Sequence, residues 1–224
     1  GVEARRGMES RRDLAAKRRD DLVKDLVSKA RVFQAGGSEL LQLALDEKVR
    51  EAAMTALSRL FPRFKEADSA AWAAVIKRAR DGADQPFQPI GHTGGTEQHP
   101  VCQQVLATVG AGKSGNEVRK DLRSSPFGWP QDAIDAALIA LHRTQHLSAA
   151  LNGTPVQPGQ LDQNKISKTE FRREQAVLSV GDRLALRRLY TLLNVPCKAG
   201  EEALRAAEFL VAVESLAISA GGQP

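Results

Sequence analysis

The residues best placed to do chemistry are Ala107-Thr108-Val109-Gly110-Ala111-Gly112-Lys113-Ser114, a run that fits a relaxed phosphate-binding loop with Ala in place of the first Gly. In a working loop of this kind, backbone N–H groups cradle phosphates, the Lys neutralises them and the Ser binds Mg²⁺, between a preceding apolar strand and a following helix. Here the preceding segment has helical periodicity and Gly115 follows at once. No apolar strand ending in Asp lies downstream to hold a metal. The run therefore reads as a helix terminus, with Gly110 or Gly112 closing the helix and Lys113 at the surface.

Four histidines are available, His92, His99, His142 and His146. His142 and His146 are four apart, a spacing that binds metal on one helix face. A metalloprotease motif would place Glu where Arg143 stands, and no third ligand accompanies the pair. His92 and His99 sit in a Gly-rich loop, where turn hydrogen bonding is their expected use. Cys102 and Cys197 are far apart and outside any CxxC pair, so they read as reduced, buried thiols of a cytoplasmic protein. No catalytic, cofactor or metal site is expected.

Binding residues are a different matter. The net charge is +5 and the sequence pI about 9.4, which permits contact with nucleic acid without requiring it. Gln131, Arg143 and Gln145 are the hydrogen-bonding side chains on or just past a strongly patterned helix, and Asn152 sits in the Asn152-Gly153 turn that follows. Lys165, Arg172, Arg173, Arg183 and Arg187 form a basic region beyond it, with Arg183 and Arg187 four apart and so on one helix face. These nine are the expected DNA contacts. Against them, 113–160 is nearly neutral, and Asp132 near the start of the helix would repel phosphate.

The elements that must position these residues are mainly helical. Hydrophobic residues make up 42%, charged 26% and aromatic only 4%, which suits helices packed on Ala and Leu better than a sheet sandwich. A charged helix over 3–31 carries Leu22, Val23, Leu26, Val27 and Ala30 on one face, and residues 31–43 predict a hairpin around Gly36-Gly37. Helices follow from Asp46 and from Ser69, the latter expected as an N-cap, so that 1–81 forms a helical region. The Gly/Pro stretch 82–100 predicts a domain boundary.

Pro100 then opens another helix. Asn116 is placed to cap a short one over Glu117–Arg123, and Pro130 opens the long one carrying Ala133, Ile134, Ala137, Leu138 and Leu141. Helix, short helix, turn, long helix and an Asn-Gly hairpin make 101–160 a winged-helix-like module, a helix-turn-helix variant. Helices are expected over Glu170–Ala176, Ser179–Leu193, with Leu184, Leu186, Leu189, Leu192 and Leu193 as core, and Glu201–Ile218, completing a C-terminal helical part at 161–220. No apolar run is long enough to cross a membrane, and residues 1–21 lack the apolar core of a signal peptide. The chain's two ends read as those of a piece from a longer protein.

Several segments carry a resemblance. They are Ala30-Arg31-Val32-Phe33 with the Gly-Gly turn, Leu60-Phe61-Pro62-Arg63-Phe64, Ile90-Gly91-His92-Thr93-Gly94 and His99-Pro100-Val101. The most specific is Glu117-Val118-Arg119-Lys120 followed by Ser125-Pro126-Phe127-Gly128-Trp129-Pro130-Gln131-Asp132. Over roughly 25–195 the chain resembles the large ATPase of BREX phage-defence systems, the BrxC/PglY type. The resemblance implies a region outside the ATPase core, with the family's phosphate-binding loop in another domain. It implies as partners double-stranded DNA, other BREX subunits and the rest of the parent ATPase. Two readings follow: a non-catalytic winged-helix region that binds DNA, or the same region docking partner subunits without touching DNA.

Overall fold

The computed structural model describes residues 1–41, 44–175 and 177–221. Among these the chain forms eight α-helices and one small antiparallel sheet, divided between two compact units, Gly1–Pro62 and Arg63–Pro224.

The first unit holds α1 (Val2–Ser28) and α2 (Leu45–Leu60). The alternating charges of α1 pair locally, Arg5 with Glu9 and Lys29 with Asp25 at four-residue spacing. Its predicted inward face is uncovered: Leu22, Val23, Leu26 and Val27 are 50–70% exposed. The predicted hairpin is reduced to one bridge, Phe33 opposite Glu39. The Gln34 N–H donates to the Ser38 carbonyl and the Leu40 N–H to that of Val32. Gly37 supplies the left-handed turn residue (φ 82°), and Arg31 clamps Glu39 at 2.5 Å. The end of that hairpin, Gln42 and Leu43, lies outside the described residues.

The second unit is built around one helix. Its elements are α3 (Trp72–Arg80), α4 (Pro100–Val109), β1 (Lys113–Ser114), α5 (Gly115–Arg123), α6 (Gln131–Arg143), β2 (Leu147–Leu151), β3 (Thr154–Pro155), β4 (Thr169–Arg173), α7 (Val180–Leu192) and α8 (Ala206–Ser219). Every residue of α6 from Ala133 to His142 is buried, because α3, α4, α5 and β2 pack around it. A helix with one charge in ten residues and four small alanines has no polar face to leave in water. That one charge, Asp135, is wholly buried and accepts a two-pronged bond from Arg119 on α5, at 2.7 and 2.8 Å. Arg119 also donates to Ser167 Oγ at 2.5 Å and to the Gln163 carbonyl at 3.1 Å, while the Gln163 amide donates to Asp135 and Asp132.

The sheet order is β1-β4-β2-β3. β4 replaces the helix predicted over Glu170–Ala176 (Ala176 lies outside the described residues). Thr169 and Phe171 point inward and Glu170 and Arg172 outward, a period of two set by pairing with β1 and β2 on either side. Helix-forming Glu and Arg lost to that pairing. The Asn152-Gly153 turn is as expected. Both residues have positive φ, 52° and 79°, and Leu151 faces Thr154 across it.

Other expectations shift. Ser69 lies three residues ahead of α3, where its hydroxyl accepts from the Ala71 N–H, and Ser114 rather than Asn116 caps α5. The 82–100 stretch packs inside the second unit through Phe87, Thr96 and His99. On α7, Leu184, Leu189 and Leu192 are exposed, while Tyr190 and Arg183 are buried.

The Arg119–Asp135 pair generates a direct expectation. Arg119→Met strands a buried carboxylate and lowers the unfolding free energy by about 3–5 kcal/mol, and adding Asp135→Leu recovers most of that loss. Urea titrations of the two variants measure both.

Candidate functional site

The residues of the phosphate-loop-like run have other occupations. Ala107–Val109 end α4, and Lys113 Nζ sits 2.6 Å from Asp121. The Ser114 hydroxyl accepts from the Glu117 N–H and donates to the Glu117 carboxylate at 2.7 Å, a reciprocal helix cap. These bonds hold Glu117 below the usual carboxylate range.

The histidine pair is also separated. His142 ends the buried stretch of α6, while His146 lies beyond Gln145, whose φ of 61° turns the chain toward β2. His142 Nδ1 bonds the Leu147 carbonyl at 3.1 Å; His146 is held by the Thr144 hydroxyl at 2.8 Å and by Glu97 at 3.4 Å. His99 caps α4, its Nδ1 accepting from the Val101 N–H, and stacks on Phe87. Burial first, and then the neighbouring His92, push its pKa down to about 4. Among the described residues no group of three His, Cys, Asp or Glu is gathered as a metal would need.

The nine expected DNA contacts scatter. Burial of α6 leaves only its first turn exposed, so the helix has no face to lay in a groove. Gln131 is there, beside a shallow cleft with Arg80, Asp162 and Gln163. Arg143 points into the fold: its guanidinium donates to the Ala199 carbonyl at 2.9 Å and lies against Gly82, Gly159 and Gly200, where a Cβ would strike it. All three glycines have positive φ, between 76° and 89°. Gln145 is half-buried in its turn. Arg187 bonds Asp84 at 2.8 and 3.1 Å and Glu202 at 2.9 Å, and Arg183 is only 4% exposed. The expected basic face of α7 is thus inside the protein.

Two of the nine remain on one surface, joined there by a further base. Asn152, Arg172 and Lys168, the last outside the original nine, border a groove on the outer face of β2 and β4, with Glu170 among them. Lys165 is exposed nearby in sequence, ahead of the 3-10 turn Ile166–Lys168. Arg173 is on the other side, lining a second cleft with His146, Glu97, Glu174, Gln175, Leu106 and Val177.

A further uncovered feature was not foreseen. Residues 177–221 form an arm that contributes nothing to the main apolar core, which ends at Phe171. Polar bonds attach it: Arg187 to Asp84, Arg143 to Ala199, and within the arm the Tyr190 hydroxyl to the Glu202 carbonyl at 2.7 Å. α8 packs Phe209 on Tyr190 at 4.7 Å, yet Leu210, Val211, Val213, Leu216 and Ile218 are 40–65% exposed. Its sequence signal was present, since only Glu208 and Glu214 are charged in fourteen residues. No helix among the described residues is long and apolar enough to cross a membrane. Comparison of the chain with family models, with curated proteins and with solved structures gives no match.

Two measurements follow. Arg187→Met strands Glu202, which is 2% exposed, and costs the arm's attachment about 3–5 kcal/mol; hydrogen exchange then rises in α7 and α8 and stays slow in α6. The neutral His99 ring belongs to the folded state, so stability is full above pH 6.5 and falls as pH drops toward about 4. His99→Asn, which keeps an acceptor at the cap, flattens that part of a Tm-against-pH curve.

Proposed function

We infer that this chain is a non-catalytic module of winged-helix type whose task is to dock protein partners within a larger machine. The resemblance in its sequence suggests the BREX defence ATPase as that machine, with other defence subunits as the partners. The observation that carries the docking reading is the burial of α6. In a DNA-reading winged helix the long helix enters the major groove with exposed side chains. Here that helix is the core, while apolar side chains lie open on α8 and α7. A helix whose aliphatic side chains are mostly exposed, as on α8, suits an interaction site.

The winged-helix assignment is supported by the order α4, β1, α5, α6, β2, β4, by the pairing of β4 between β1 and β2, and by the β2–β3 hairpin as the wing. α3 covers what would be the reading helix.

A second reading has its own observation. Asn152, Lys168 and Arg172 sit together on the exposed sheet face, and neither base is ion-paired among the described residues. This face suits contact with a phosphate backbone through the wing. Against it stand Glu170 in the same groove and the loss of Arg143, Arg183 and Arg187 to the interior.

Fluorescence anisotropy of a labelled duplex across a salt series separates the two. The docking reading expects a flat signal at low salt. Binding that weakens steeply with salt, and weakens again in Asn152→Ala/Lys168→Ala/Arg172→Ala, would overturn it in favour of the wing. In parallel, Leu210→Glu/Leu216→Glu is expected to leave the Tm within about 1–2 °C of the parent, as surface changes do, and to reduce binding of a dye that reports exposed apolar surface.

A further inference from the structure

The outer face of the sheet carries a row of charges that nothing inside the chain uses. Lys168, just before β4, and Glu170 and Arg172 on it alternate in sign, and all three are exposed. Among the described residues none of them has an ion-pair or side-chain hydrogen-bond partner. Elsewhere in this unit surface charges find each other: Arg80 lies 2.6 Å from Asp162, and Lys113 2.6 Å from Asp121. Protection of a sheet edge does not account for the row, because β4 is paired on both sides, by β1 and by β2.

The row forms one wall of a groove of about 570 Å³. The opposite wall is the hairpin, with Asn152, Gly153 and Pro155, and the floor between them is β2. That floor is low. Ser148 stands across from Arg172 and Ala150 across from Glu170, and the Ser148 hydroxyl donates back to the Arg172 carbonyl at 3.4 Å. The Arg172 stem lies along Gly112, where an added Cβ would meet its Cγ at 3.4 Å. The stem is thus held on the β1 side of β4, and the space above β2 stays open.

A groove of this form fits an extended chain. Alternate side chains of a strand repeat at about 7 Å, so a segment laid along β2 matches the charges beside it one for one. Complementarity to Lys168, Glu170 and Arg172 then calls for an acid, a base and an acid at alternate positions, with the intervening residues turned to solvent. The pattern reads the same in either chain direction. A nucleic-acid strand fails at the middle position. Every repeat of it is negative, so the one between those at Lys168 and Arg172 meets Glu170.

We propose that the β2–β4 groove docks an extended protein segment of the pattern acid-x-base-x-acid, and that Glu170 selects protein over nucleic acid there. This adds a second docking surface to α8 and rests on the docking reading.

Backbone amide shifts of the ¹⁵N-labelled full chain test it, in about 0.15 M salt, where long-range attraction is screened. Three acetylated, amidated peptides are compared: Thr-Glu-Thr-Lys-Thr-Glu-Thr, its reordered form Thr-Glu-Glu-Thr-Thr-Lys-Thr, and the all-acidic Thr-Glu-Thr-Glu-Thr-Glu-Thr. The groove expects saturable shifts over 148–153 and 168–172 with the first, bound at least about threefold more tightly than either of the others. Glu170→Lys should make the all-acidic peptide the best ligand while leaving the Tm within about 1–2 °C of the parent. The milder Glu170→Gln should bring the first and third peptides level. A charge that only solvates the surface would produce neither change. Equal response to the three peptides, or an unchanged order in Glu170→Lys, overturns the proposal. Shifts at the same residues on raising the protein concentration alone assign the face to a second copy and overturn the partner class. A 20-base-pair duplex that binds these residues more tightly than the first peptide assigns the face to nucleic acid and sinks the docking reading with it. No response to any peptide or to the duplex sinks the groove and leaves docking through α8 standing.

Discussion

The second unit hangs on the bond between Arg119 and Asp135. A carboxylate in the middle of an apolar helix would ordinarily prevent that helix from being buried on every side. Arg119 removes the obstacle by matching both oxygens with its planar fork, and Gln163 adds a further donor to the same carboxylate. The same guanidinium reaches Ser167 and the Gln163 carbonyl, so one side chain joins α5, α6 and the segment that leads into β4. With the charge neutralised, α3, α4 and β2 can close on α6 using apolar side chains, Trp72 among them.

This burial decides what the molecule is able to recognise. A helix enclosed by its neighbours cannot offer side chains to a base edge, whatever its position in the order of elements. Recognition is left to the periphery, to the outer face of the β2–β4 sheet with its Asn-Gly hairpin and to the apolar arm of α7 and α8. The arm is attached by a few charged bonds and leaves most of its aliphatic side chains in water. A helix as apolar as α8 gains stability only when something covers it, which is why docking fits the arm better than solvation does.

The buried arginines divide by what surrounds them. Arg119 and Arg187 meet carboxylates and fasten one element to another. Arg143 meets a carbonyl and three glycine backbones at the end of α6, where any side chain would collide with it. Arg183 meets neither, and its Nε is buried without a hydrogen-bond partner, as is the Nε of Arg143.

The helical class, the Asn152-Gly153 hairpin, the Pro100 and Pro130 helix starts and the helix end at Gly110 were all legible in the chain. Each rests on local chemistry: fixed φ in proline, positive φ in Asn-Gly, a helix running up to Gly110. The strand at Thr169–Arg173 was not legible, because its period of two spans only five residues, three of them the good helix formers Glu170, Arg172 and Arg173, and is imposed by β1 and β2 on either side. The fates of Arg143, Arg183 and Arg187 were equally hidden. Four-residue spacing places two arginines on one face of a helix, and only the tertiary structure decides whether that face meets water or the interior. The sequence by itself determined most of the helical segments and the Asn-Gly turn, since those preferences act over a few residues. The tertiary structure alone decided which basic side chains stayed outside, since a charge is buried or exposed according to partners scores of residues away, such as Asp84 for Arg187.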